Sequence, residues 1–140
     1  MERVLVPVDG SDASTRAAAW AATYAATSGA ELILLHVHDA RGSETLALGA
    51  LDATQIAEAE RRIAGPSFDT AREAIGPATA ARTLVSIGDP AEEIVALARR
   101  EHATLIVMGS RGLGSVAGML LGSVATKVMH LVDVPVTLVK

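Results

Sequence analysis

Short apolar runs alternate along the chain with longer mixed stretches, and the runs carry the clearest signal. Val4-Leu5-Val6-Pro7-Val8 is rich in β-branched residues and closes on Asp9-Gly10, the pattern of a strand covered on both faces. Ser11 or Asp12 then offers a side-chain oxygen to the free amides of a helix start. That helix runs through an alanine-rich segment, with Trp20 and Tyr24 four apart on one face, and stops near Gly29. Glu31 to Val37 predicts a second strand, followed by His38-Asp39. Residues 41–51 read as a loop with Gly42 and Gly49 at either end. A helical pattern resumes near Asp52, and Gly65-Pro66 is expected to interrupt it, because proline removes a helix amide and clashes with the preceding turn.

Thr83 to Ile87 predicts a third strand. Asp89 as N-cap, Pro90 at the first helical position and Glu92 at the third form a capping box that starts the next helix. Leu105 to Met108 is strand four, Gly109 to Leu121 a long glycine-rich connection, Gly122 to Leu131 a helix, and Val134 to Val139 strand five. Five apolar strands alternating with helices predict an α/β fold, a doubly wound five-stranded parallel sheet. Right-handed crossovers then place helices on both faces. Pro135, read as lying inside strand five, cannot donate to a ladder, which favours the sheet edge for that strand. No repeat, linker or second-domain boundary breaks the pattern, so one domain across 1–140 is expected.

Composition narrows the function. Half of the 140 residues are hydrophobic and a fifth are charged, which suits a packed core rather than disorder. The net charge of −4, scattered basic residues and aromatics limited to Trp20, Tyr24 and Phe68 argue against nucleic acid as a partner. The absence of cysteine excludes disulfides, thiolate metal sites and cysteine nucleophiles. No stretch approaches the length of a membrane span, and the first apolar run is too short for a signal peptide. A cytoplasmic location without membrane contact is the expectation.

In a doubly wound sheet, ligands bind beyond the carboxyl ends of the strands where the strand order reverses. Two connections there carry candidate chemistry. One is Pro7-Val8-Asp9-Gly10-Ser11; the other is Gly109-Ser110-Arg111-Gly112, then nine residues, then Gly122-Ser123 at a helix start. Glycine lets backbone approach an anion closely, and helix-start amides attract phosphate. Neither a Walker loop nor a dinucleotide fingerprint fits: no Gly-Lys occurs, and Gly112 and Gly114 are followed by Gly118, one residue too far. Asp9 reads either as a ligand contact or as a cap of the first helix. Arg111 can reach a phosphate or stand idle on the loop. His36 and His38 share a strand face, but without a third ligand they read as a packed histidine and a strand-end histidine rather than a metal pair.

The spacing Gly109-x2-Gly112-x9-Gly122-Ser123 resembles the ATP-binding signature of the universal stress protein family. The likeness extends over the chain, through Val4 to Ser11, Leu35-His36-Val37, Gly88-Asp89-Pro90 and Val134-Pro135-Val136. It implies strand order 3-2-1-4-5 and a site for ATP, with Mg2+. By the same resemblance Asp9 hydrogen-bonds the ribose or adenine side, with Pro7 and Val8 lining the pocket and Val37 against adenine. Met108, Gly109 and Gly112 wrap the ribose and phosphates, and Gly122, Ser123 and Val124 hold the phosphates. The Gly65-Pro66 break departs from the family pattern and bears on how residues 41–75 cover the base. The resemblance also implies a homodimer through strand five, about residues 134–139.

Three functional classes remain on these residues. The first is an ATP-binding regulatory module whose nucleotide state tunes contact with a client protein during stress. The second is an enzyme that hydrolyses ATP or transfers from it, and the third is a nucleotide-free dimeric scaffold. The motif holds no Walker lysine and no carboxylate or histidine inside the loop, so the expectation is binding without enzymatic turnover.

Overall fold

A computed structural model describes residues 1–39, 50–113 and 117–140, and the structural statements below concern those residues. Strand β1 (Arg3–Pro7) leads through a tight turn into helix α1 (Asp12–Ser28). Ser11 is the cap, its side chain accepting from the Ser14 amide at 3.3 Å. Gly29 ends the helix in the left-handed region at φ +74°, where its amide returns to the Ala25 carbonyl. Strand β2 (Glu31–Asp39) and helix α2 (Ala53–Ile75) follow, then β3 (Ala81–Gly88), α3 (Pro90–Arg100), β4 (Leu105–Gly109), α4 (Ser123–Leu131) and β5 (Val136–Val139). The loop expected at residues 41–51 falls, up to residue 49, outside the described residues.

The strands form one parallel sheet in the order β3-β2-β1-β4-β5. Val4 pairs with Leu32 on one side and with Leu105 on the other, which makes β1 the central strand. Alternate residues feed two cores. Leu5, Ile33, Leu35, Ile106 and Met108 meet Ile94, Leu97 and Val128 from α3 and α4 on one face. Val4, Val6, Leu32, Leu34 and Val107 meet Ala17, Ala18, Ala21, Ala71 and Ile75 from α1 and α2 on the other. Helices therefore cover both faces, and near-continuous apolar strands are what such burial demands.

Three sequence expectations need correction. Gly65-Pro66 does not interrupt a helix: α2 is continuous over 23 residues with Pro66 inside it. The helix starts on a complete capping box between Asp52 and Gln55, and it buries Ala59, Ala64, Ser67, Ala71 and Ile75. Packing of that face outweighs the missing amide, the usual source of helix stability in a folded chain. Next, Asp89 caps α3 by accepting from the Glu92 amide at 3.1 Å, but the Glu92 carboxylate turns to Lys127 Nζ at 3.3 Å instead of closing a capping box. Finally, Pro135 precedes β5 rather than lying in it, and its carbonyl accepts from the Ile106 amide at 3.0 Å. The edge position of β5 stands.

At the amino ends of the strands a ladder of charges ties four elements together. Arg3 donates to Glu31 at 2.9 Å and to the Glu101 carbonyl at 2.9 Å. Arg82 donates to Glu31 at 3.0 Å and to the Glu101 carboxylate at 2.7 Å. The hydrogen bond from Arg82, helped by Arg3 at Glu31 and by Arg100 at Glu101, holds both carboxyls below the ordinary glutamate range against their desolvation. Carboxyls depressed by folding stabilise the fold above their unfolded pKa and lose that contribution as pH falls through the folded one. Replacing Arg82 by Met is therefore expected to lower unfolding free energy near neutral pH. The gap should close as pH drops below about 4.3, the ordinary glutamate value. It will be small, because solvent screens such pairs. Urea melts across pH measure it, and a gap independent of pH would exclude this origin.

Candidate functional site

The carboxyl ends of β1 and β4 lie side by side, and their connections diverge around a cleft of about 420 Å³. The cleft brings together every residue singled out from the sequence: Pro7, Val8, Asp9, Val37, Met108, Gly109, Arg111, Gly112, Gly122, Ser123 and Val124 all line it. Val8 and Met108 are buried in its lining, Val37 reaches it from the carboxyl end of β2, and Arg111 and Ser123 are exposed.

The two loops are locked to each other. Asp9 Oδ1 accepts from the Ser11 amide at 2.9 Å, and Oδ2 accepts from the Leu113 amide at 3.2 Å, 104 residues away. Asp9 is thus a tie between the loops and not the N-cap of α1, which is Ser11. Burial acts to raise its pKa, but hydrogen bonds with Ser11, Leu113 and Ser14 outweigh this and hold the carboxyl below the ordinary aspartate range. Gly112 is required by this closeness: a Cβ there would sit 2.5 Å from Asp9 Oδ2. Gly109 is as tight against the start of α1, where a Cβ would meet Ala13 and the Ser14 amide nitrogen at 2.9 Å.

Gly122 donates its amide to the Ser110 carbonyl at 2.7 Å and caps α4 with no side-chain hydrogen bond. Among the described residues no side chain accepts from the first amides of α4, which lie beside a glycine backbone that a phosphate can approach. Lys127, one turn into α4, is taken up by Asp89 at 3.0 Å and Glu92 at 3.3 Å, and those contacts raise its pKa. That pair bridges the starts of α3 and α4.

Several cleft residues had no signal in the sequence reading. Ser14 is buried, accepts from the Asp9 amide and donates to the Ser11 carbonyl. Leu113 and Ile94 also line the cleft, as do Ser110, Pro90, His38 and Asp39, which the sequence reading had named without assigning them to a ligand. A serine three residues into a helix and another beside a glycine look like solvated positions until the tertiary approach of the loops buries them. His36 is a packed histidine, as expected: its Nδ1 lies 2.9 Å from the Val8 carbonyl, and its ring stands edge-on to Phe68. Among the described residues no cluster of three metal-ligating side chains forms, and no helix is long and apolar enough to cross a membrane.

Comparison with known proteins places this geometry. The family model described as the universal stress protein family matches residues 1–140. Universal stress protein YxiE of Bacillus subtilis is 33% identical over 145 residues, covering 99% of this chain and 98% of its own. Among solved structures, UspA of Lactobacillus plantarum superposes with a TM-score of 0.79 at 28% identity, over 99% of this chain and 97% of its own. A universal stress protein solved in complex with cAMP gives a TM-score of 0.70 at 31% identity, over 99% and 97% of the two chains.

Proposed function

The chain belongs to the universal stress protein family, and we propose that its cleft binds ATP and that the protein acts as a nucleotide-dependent regulatory module. The observation that carries this is the uncapped start of α4 beside the glycine backbone of 109–112. Such a start is an anion site, and the cleft volume of about 420 Å³ falls within the range of small-molecule sites. The relative solved with cAMP supports an adenine nucleotide as the ligand class. In this reading Pro7, Val8 and Val37 flank the base and Asp9 the ribose side. Met108, Gly109 and Gly112 follow the ribose and phosphates, while Gly122, Ser123, Val124 and Arg111 hold the phosphates. Mg2+ arrives on the phosphates, the usual way this ion is held. A client protein would read the nucleotide state.

Binding without fast hydrolysis follows from how the charged groups are engaged. Phosphoryl transfer needs charge neutralisation at the γ-phosphate and a group that positions water. Lys127 is held by two carboxylates, and both Asp9 oxygens already accept backbone amides. Isothermal titration should detect ATP binding, and phosphate release should stay well below about 1 s⁻¹, the low end of typical enzymes. No binding at millimolar ATP would favour the nucleotide-free scaffold. Turnover above that limit, abolished by Gly122→Glu, would establish the hydrolase reading.

Edge strand β5 completes the proposal as the contact of a homodimer, since an open apolar edge recruits a partner strand. Val136→Asp places a charge in that contact and should shift the protein toward monomer. Sedimentation velocity checks this; a wild-type protein already monomeric at micromolar concentration would exclude the dimer.

A further inference from the structure

Ser110 follows the last residue of β4, and it stands apart from every other side chain of the cleft. It exposes 4% of its surface, and its Oγ is the one buried side-chain nitrogen or oxygen among the described residues with no hydrogen-bond partner. Its backbone is fully committed. The Ser110 amide donates to the Val139 carbonyl at 2.8 Å, and its carbonyl accepts from the Gly122 amide at 2.7 Å. The residue is thus pinned between β5 and the cap of α4, in the wall of the cleft, with only the hydroxyl unused. A buried hydroxyl left without a partner is a net cost to the folded state. Alanine or glycine would pack here at least as well in the ligand-free protein.

We propose that the Ser110 hydroxyl is a phosphate donor, kept at the expense of stability and satisfied only when a nucleotide is bound. The inference rests on the nucleotide reading of the cleft. The neighbouring Gly122 amide is turned inward to Ser110, so the α4 start presents its later amides to an anion, with exposed Arg111 on the β4 side. The buried hydroxyl adds a second donor on that side, fixed by the backbone that carries it. Serine has three staggered χ1 wells, so Oγ can turn to a phosphate oxygen while the backbone stays pinned. The acceptor is a phosphate rather than the base or sugar, because Ser110 adjoins the cap of α4 and follows β4, which β1 separates from the strand that carries Val37.

Ser110→Ala separates this role from a structural one. Thermal unfolding of the ligand-free variant should match wild type or rise, since the change removes an unpaired hydroxyl. Isothermal titration should show ATP binding about tenfold weaker, the usual loss for a hydrogen bond to a charged group. Adenosine, which lacks phosphate, should bind wild type and variant equally. Lower stability of the variant would make the hydroxyl structural and overturn the proposal, as would ATP affinity within twofold of wild type or an equal loss for adenosine. Wild-type protein that binds neither probe would instead remove the nucleotide reading itself, and this inference with it.

Discussion

Gly122→Glu is expected to weaken ATP binding at least tenfold, about 1.4 kcal/mol or more, in a protein that still folds. Two effects act together. A Cβ at this position lies 3.3 Å from Arg111 Cα, so a side chain asks that backbone to give by a few tenths of an ångström and fills the space beside the glycine connection. The added carboxylate then competes for the α4 amides. Negative charge at a helix start is favourable in its own right, so the variant helix is stabilised by the group that displaces the ligand. Gly122→Ala introduces the contact without the charge and should show a smaller loss. Isothermal titration of both variants, with circular dichroism to verify folding, tests the assignment; unchanged affinity in a folded Gly122→Glu protein would sink it.

Gly109→Val should be the most damaging single change to the fold among the cleft glycines, lowering stability by about 3 kcal/mol. At 2.9 Å the obstructing atoms are Ala13 carbons and the Ser14 nitrogen, mostly backbone, so no flexible side chain can yield. The first turn of α1 must lift from β4, and the Ser11 cap and the Asp9–Ser14 contact move with it. Chemical denaturation should show a lower midpoint with an unchanged slope. A loss under about 1 kcal/mol would mean that α1 can slide at little cost, contrary to the packed interiors of folded proteins.

Much of this architecture is legible because the strands are short, apolar and separated by residues with fixed conformational roles. Val4 to Val8 and Leu105 to Met108 announce buried strands, and Gly29 and Pro90 mark helix boundaries where expected. The convergence of the two connections on one cleft followed from the strand order that the family resemblance implied. Pro66 was misleading because a local penalty was weighed without the tertiary term. Its turn of α2 passes close to the β1–α1 loop, with Ser67 Oγ 3.5 Å from the Cβ position of Gly10, and that packing holds the helix through the proline. Ser14 was invisible, and Ser110 was read only as a member of the glycine connection, for a related reason. No spacing rule marks a hydroxyl whose burial depends on neighbours that the fold brings close, as Gly109 is to Ser14 and Val139 to Ser110.

The position of β1 between β2 and β4 has a temporal consequence. One side of β1 can be paired as soon as Glu31–Asp39 exists, but the other must wait for Leu105–Gly109; the Arg3–Thr104 contact spans 101 residues. At typical synthesis rates of about 5–20 residues per second, that flank stays bare for about 5–20 s on the ribosome. The cleft is therefore assembled late, from a nascent chain whose central strand has been waiting with an open edge. Until then the growing polypeptide is a natural substrate for chaperones that shield unpaired strands.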